Sequence, residues 1–363
     1  MSKLLYSPLG LHYICNMKNK ILTLVLFICG LAVSALTGCD SEEKSAVEYI
    51  IPVVNRCNEP FCFDDYFRKV KTVYLRSDDE YDAPTMISDI FFTGRYAFIL
   101  EISKMRLSKI DLKKGKVVNQ IRVNRNQYVL SGDKDHLYLL DFGERKIITV
   151  YDLDLIPTDS LELKNVAVAS FSRIKNGFIF LNGRETGNRG KYVITNSRLT
   201  RAVSYKKVGA PYKPYRKNAP IFIECSEVFI KGSYGKVLCY DSENQDGYLY
   251  DGEKLKRLFH IGTDVTDPEA VPLKNTQMIY SLNGNRLFHY YNDDFTDGVA
   301  FFDKDNNLVA QGPAYDSNKE GLFRYTYRQV GRKLVRIRME KAEDRGKDPN
   351  NTTYAQIDFY RLK

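Results

Sequence analysis

The chain has 363 residues, a formal net charge of +9 and 44% hydrophobic residues. That apolar content supports a packed core and excludes wholesale disorder. Residues 1–38 hold Lys3, Lys18 and Lys20 and no acid, so without them the charge falls from +9 to +6. A surplus of that size with no basic recognition motif gives no footing for nucleic acid as a partner. The 26 Tyr and 20 Phe favour strands, and with no Trp any sugar-stacking platform would rest on Tyr.

Met17-Lys18-Asn19-Lys20 opens a basic stretch, and the 16 residues from Ile21 to Leu36 are apolar. A membrane span needs about 20 apolar residues, so this run is short for an anchor and fits a signal peptide. Leu36-Thr37-Gly38-Cys39 follows and resembles the bacterial lipobox, which implies cleavage before Cys39 and lipidation of that residue. A plain secretory signal with a chance cysteine is disfavoured, because all four positions fall together at the end of the apolar run. Residues 1–16 precede a complete signal, so Met17 reads as the true start. Asp40-Ser41-Glu42-Glu43 resembles the surface-export signal of lipoproteins from Bacteroides-type bacteria; a solvated polar tether is the equal alternative. The expected organisation is a signal peptide over 1–38, a lipidated tether and N-terminal segment over 39–65, and one domain over 66–363. The expected location is the cell envelope, as an outer-membrane lipoprotein, with the membrane as partner through Cys39.

Of the seven cysteines, Cys15 and Cys29 leave with the signal and Cys39 carries lipid. Cys57, Cys62, Cys225 and Cys239 remain for an oxidising compartment, where three pairings are open to them. Local pairing is preferred: Cys57 with Cys62 across a turn-like loop, and Cys225 with Cys239 across a predicted hairpin. Zinc is disfavoured, because Cys57 and Cys62 have no His nearby.

Short β-rich runs then alternate with Gly, Asp and Asn, and no amphipathic helix stands out. A turn signal precedes an apolar-aromatic strand starting at 96, 137, 178, 228, 287 and 334, as in YAFIL (96–100) and FIFL (178–181). Downstream of most copies a strand ends in an Asp or Asn turn: Asp111, Asp152, Asn196, Asp251 and Asp303. An Asp or Asn side chain at the first turn position accepts hydrogen bonds from the backbone that follows. Two signals in fixed order, spaced by roughly 40–50 residues, predict an all-β chain of four-stranded antiparallel propeller blades. Six blades are expected, with seven as the alternative; a β-sandwich would not give this period. The sixth lacks an outer strand, since the chain ends at TTYAQIDFYRLK (352–363). FRKVKTVYL (67–75) alternates and has no blade of its own, so it is expected to pair into the last blade and close the ring.

The lipobox, the acidic tether, the unpaired first strand and the degenerate repeats together resemble the six-bladed, TolB-like or NHL-like propeller lipoproteins of Bacteroides-type bacteria. The resemblance spans nearly all of the mature chain. It implies the fold and no particular activity.

Chemistry-bearing signals are sparse. His136 is expected to open a strand, His289 to lie inside one and His260 to end one, so their places within the repeats differ and neither a metal nor a cofactor is expected. No Gly-x-Ser-x-Gly elbow anchors acyl transfer. Asp303-Lys304-Asp305-Asn306-Asn307 starts like a calcium loop but has Leu308 and Ala314 where Gly and Glu belong, so it reads as a hairpin turn. The leading ligand candidate is the acid-free segment 205–217, with Tyr205, Lys206, Lys207, Tyr212, Lys213, Tyr215 and Arg216, which could hold an anion by charge and ring stacking. A solvated crossover with its Tyr rings packed on a blade edge is the blander reading. A second basic run holds Arg324, Arg328, Arg332, Lys333, Arg336 and Arg338. Asp159-Ser160-Leu161 resembles an O-glycosylation site of Bacteroides-type bacteria. The expectation is a non-catalytic module that binds a glycan, a peptide or an envelope protein. Alternatives are a scaffold subunit of an outer-membrane complex and a polysaccharide lyase or glycosidase. Replacing the lipidated residue, as Cys39→Ser, should move the protein from the membrane to the soluble fraction of lysed cells; unchanged partitioning would refute the anchor.

Overall fold

The computed structural model describes residues 47–51, 61–76, 87–143, 146–163, 168–182, 192–199, 202–204, 228–231, 236–241, 246–263, 275–291, 297–315, 325–339 and 353–363. An N-terminal stretch comprises β1 (Val47–Ile51), β2 (Phe61–Cys62), a single helical turn α1 (Phe63–Tyr66) and β3 (Phe67–Arg76). Four-stranded antiparallel sheets then follow in chain order, each running up and down. The first is β4 (Asp89–Phe92), β5 (Tyr96–Glu101), β6 (Arg106–Asp111) and β7 (Lys116–Arg122). The second is β8 (Gln127–Gly132), β9 (His136–Asp141), β10 (Ile147–Asp152) and β11 (Pro157–Glu162). The third is β12 (Val168–Ile174), β13 (Gly177–Asn182), β14 (Tyr192–Asn196) and β15 (Ala202–Ser204). The fourth is β16 (Val228–Lys231), β17 (Val237–Asp241), β18 (Asp246–Tyr250) and β19 (Leu255–Thr263). The fifth is β20 (Asn275–Leu282), β21 (Asn285–Tyr291), β22 (Asp297–Phe302) and β23 (Leu308–Gly312), followed by the short β24 (Ala314–Tyr315). The last sheet has β25 (Tyr325–Val330), β26 (Lys333–Met339) and β27 (Thr353–Leu362), and takes β3 as its outer strand.

The second strand of each sheet is apolar on both faces, because each sheet is packed between two others. In β5, Phe98 and Leu100 join a core with Leu137 and Leu139 of β9. The alternate residues Ala97 and Ile99 point the other way, into a core with Val335 and Ile337 of β26 and Ile357 of β27. β9 repeats the division, sending Tyr138 and Leu140 towards Phe178 and Phe180 of β13. Ile179 and Leu181 of β13 meet Val237 and Cys239 of β17. Leu238 and Tyr240 of β17 meet Phe288 and Tyr290 of β21. Leu287 of β21 meets Leu334 of β26. Each core is therefore shared by two sheets that follow one another in the chain, and the last sheet packs on the first. That cyclic order, with exposed outer strands such as β7 and β11, is the architecture of a β-propeller.

The inner strands are stitched by side chain to backbone bonds. The Leu130 amide of β8 donates to Asp89 Oδ2 of β4 at 2.8 Å, and the Arg173 amide of β12 donates to Ser131 Oγ of β8 at 3.0 Å. The Ser281 amide donates to Gln329 Oε1 of β25 at 2.7 Å. Arg328 of β25 reaches Asp89 Oδ1 at 3.4 Å, which joins the last sheet to the first. Burial raises the Asp89 carboxyl, although Arg328 and the Leu130 and Ile90 amides oppose that rise.

Closure rests on β3, which pairs antiparallel with β27 in the register Val73↔Ile357. This is the pairing anticipated for FRKVKTVYL. The same strand bridges to the first sheet, where Arg76 lies opposite Lys116 and its amide donates to the Gly115 carbonyl at 2.8 Å. Gly115 has a φ of +66°, and a Cβ there would collide with the Tyr74 carbonyl of β3, so no other residue fits that contact without strain. Between β3 and β26, Asp358 of β27 is buried with Arg336 at 3.2 Å, their side chains 3% and 5% exposed. Thr72 Oγ1 of β3 donates to it at 2.6 Å, Gln356 Nε2 donates at 2.9 Å, and Lys69 of β3 lies at 3.8 Å. Burial alone would raise the Asp358 carboxyl. The Thr72 and Gln356 hydrogen bonds and the Lys69 and Arg336 charges outweigh burial and hold it below the ordinary value.

The recurrent turns close as their chemistry dictates. Asp111 Oδ1 accepts the Lys113 amide at 2.8 Å, Asp152 Oδ1 the Asp154 amide at 2.8 Å, and Asn196 Oδ1 the Arg198 amide at 3.2 Å. Asp251 Oδ1 accepts the Lys254 amide at 2.8 Å, and Asp303 Oδ1 accepts the Asp305 and Asn307 amides at 2.9 Å each. All five sit at the end of a third strand. The segment that starts like a calcium loop is thus a hairpin turn.

Three details differ from the sequence reading. The repeat start at 228 belongs to β16, a first strand; the equivalent second strand is β17, whose run VLCYD is interrupted by Cys239 and less obviously apolar. His260 lies within β19 and does not end a strand. Packed structure also begins before residue 66. β1 adds parallel to β19 (Val47↔Phe259), β2 adds parallel to β24, and Phe61 and Phe63 are buried beside Tyr280 and Tyr360. The sequence reading gives residues 39–65 as a lipidated tether and N-terminal segment and assigns them no strand.

Asp358 should contribute to acid sensitivity. Its depressed value means its contribution is complete above the ordinary carboxylate value of about 3.9 and is lost as pH falls through the lower folded value. Asp358→Asn should cost about 3–5 kcal/mol near pH 7, because it breaks the buried ion pair with Arg336. The gap to wild type in urea midpoint should narrow as pH falls below about 4. A gap independent of pH would contradict the charged role.

Candidate anion-binding site

The turns joining first and second strands, together with the end of β27 and the middle of β3, line a cavity of about 460 Å³ where the last sheet meets the first. Thr93 and Gly94 come from the β4–β5 turn, Leu112 follows β6, and Leu282 ends β20. Val330, Arg332 and Lys333 come from the β25–β26 hairpin, whose two-residue loop starts with Gly331 at a φ of +57°. Lys71 comes from β3, and Phe359, Arg361 and Leu362 from β27.

The lining carries four cations, Lys71, Arg332, Lys333 and Arg361, and no carboxylate. Lys71 stands opposite Phe359 in the strand register, its ammonium 5.8 Å from the Phe359 ring centre. It also donates to the Leu112 carbonyl at 3.4 Å. The Lys333 ammonium lies 5.7 Å from the same ring. The two ammonium groups are thus gathered around one aromatic floor. Arg361, two residues beyond Phe359, shares its face of β27, and Leu362 at the strand end also reaches the cavity. Asp358 is not part of the lining and pairs instead with the buried Arg336. Among the described residues none of the four has an acidic partner, so they repel one another across the cavity.

Cys39 and the segment with Tyr205, Lys206, Lys207, Tyr212, Lys213, Tyr215 and Arg216 lie outside the described residues. So do Cys57 and Cys225, and the local pairings proposed for Cys62 and Cys239 depend on them. Cys62 is half-buried in β2, and Cys239 is buried in β17. The three histidines lie on different sheets: His136 beside Asp133 at 3.8 Å, His260 on Asp246 at 2.9 Å, and His289 in β21. Among the described residues no three His, Cys, Asp or Glu side chains could hold a metal ion. Asp159 and Ser160 are exposed on β11, with Leu161 half-buried.

The second basic run divides by position. Arg336 is consumed by Asp358 and Arg328 by Asp89, whereas Arg332 and Lys333, at the hairpin tip, face the pocket. Lys71, Phe359 and Arg361 were not singled out from sequence. Their only signal was membership in two strands expected to pair.

No family profile matches the sequence, and no characterised protein matches it in sequence. Solved structures do match. A Bacteroides fragilis protein predicted to be exported shares 12% identity, with a TM-score of 0.63 over 87% of this chain and 100% of that one. A DUF4221-family member from Bacteroides vulgatus shares 8% identity at a TM-score of 0.49, over 82% of this chain and 99% of that one. The β-propeller domain of Swd1 from Myceliophteria thermophila shares 10% at a TM-score of 0.40, over 77% of this chain and 100% of that one. The first of these shows a shared fold; the other two are too distant to argue from. The chain is therefore a propeller-class protein that shares its fold with a Bacteroides fragilis protein predicted to be exported.

Proposed function

We propose that this chain is an exported, lipid-anchored six-bladed β-propeller of the cell envelope that binds a ligand without turning it over. The signal peptide and Cys39 support export and anchoring, and the likeness to a fold found in a protein predicted to be exported is consistent with them. The cyclic sharing of cores, with β3 as the outer strand of the last sheet, supports six blades. The observation that carries the binding role is the pocket at the closure, where four cations converge with no carboxylate to serve as acid, base or nucleophile.

Binding without turnover is tested with the purified full chain. An anionic compound from a metabolite panel should raise the melting temperature, as expected of any ligand that binds the folded state alone. Incubation with polysaccharide and peptide mixtures should release neither reducing ends nor new amines. Reproducible turnover of either would overturn the reading.

A further inference from the structure

The pocket also defines the class of its ligand, an inference that rests on the binding role proposed above. Charge sets the first requirement. Lys71, Arg332, Lys333 and Arg361 line one cavity with no acid, so a single negative charge leaves most of the repulsion in place. The walls set the second. Phe92, Leu112, Leu282, Val330 and Leu362 present carbon between the cations, a surface that a bare inorganic ion cannot cover. Size sets the third, since about 460 Å³ falls in the range of small-molecule sites and far exceeds one oxyanion.

Donor chemistry completes the case. Arg332 and Arg361 offer planar forks that grip an oxyanion through two parallel hydrogen bonds, while Lys71 and Lys333 act as point charges around Phe359. These cations come from separate elements, the β25–β26 turn, β3 and β27, so oxyanion groups set apart on one frame would meet different donors. We infer that the pocket binds a small organic molecule carrying two or more oxyanion groups, as phosphate, sulfate or carboxylate. Because β3 contributes Lys71 and β27 contributes Phe359 and Arg361, the ligand would also bridge the strands that close the ring.

The test is calorimetric titration of the full chain in non-ionic detergent at low and moderate salt. The probes are fructose 1,6-bisphosphate, a disulfated disaccharide, propane-1,2,3-tricarboxylate, inorganic phosphate and fructose. At least one organic polyanion should bind at least about tenfold more tightly than either inorganic phosphate or fructose, and added salt should weaken it. The polyanion that binds names the oxyanion. Arg332→Glu with Lys333→Glu should reduce that affinity by about a hundredfold, and Arg361→Glu alone by about tenfold, with unchanged circular dichroism. Both sets lie at a turn or a strand end, so the second variant serves if the first misfolds. Failure of all three polyanions, equal affinity for inorganic phosphate, or affinity unaltered in both variants would overturn the inference. Tight fructose binding would overturn the anion class while leaving a binding module in place. Turnover of a bound polyanion would support the site and remove only the non-catalytic reading.

Discussion

The pairing of β3 with β27 is the constraint on which the rest depends. Without it the last sheet would end at β27 and expose an edge of unpaired backbone groups. The core that joins last sheet to first would also lose Val73 and Leu75 from its outer side. The strand is held by three different means. Apolar residues face the shared core, Thr72 and Lys69 satisfy the buried Asp358 from outside, and the Arg76 amide reaches the Gly115 carbonyl in the first sheet. Closing so long a stretch of chain carries an entropic cost that grows only slowly with its length, and apolar, polar and backbone contacts together offset it at this seam.

The seam also explains where the pocket lies. Elsewhere in the ring, consecutive sheets come from consecutive chain and meet through large aromatic and aliphatic cores. At the closure, two segments from opposite ends of the chain bring strand ends and turns together, and Lys71, Arg361 and the β25–β26 turn converge there. Strand alternation then sorts the charges. Asp358 and Arg336 neutralise one another inside the sheet, while Phe359 and Arg361 point out towards the pocket. The positive lining thus follows from a pairing that uses its one acid internally.

The repeated turns show how loose the repetition is at the level of residues and how strict it is in chemistry. Asp111, Asp152, Asn196, Asp251 and Asp303 differ in their neighbours, yet each side chain accepts the amide two residues on. Of these, the Asp111, Asp251 and Asp303 carboxyls are held below the ordinary value. For Asp111 the hydrogen bond from Arg95 acts most strongly, and for Asp251 and Asp303 the backbone amides of Lys254 and Asn307 do. The last sheet needs no such turn, because its fourth strand arrives from the other end of the chain.

Local chemistry made the strands, their turns and the expectation of closure legible, since turn residues and apolar runs act within a few neighbours. Continuous runs such as YAFIL and FIFL carried more than strand type, because a strand apolar on both faces needs a sheet on each side. The same locality misplaced one repeat, where Cys239 breaks the run and β16 looks like its equivalent. It also hid Phe61 and Phe63, whose burial depends on Tyr280 and Tyr360, residues far away in the chain. The candidate site was out of reach for the same reason. Nothing near Lys71, Phe359 or Arg332 marks them as partners; only the three-dimensional pairing of the chain's two ends sets them around one cavity and takes Arg336 away from it.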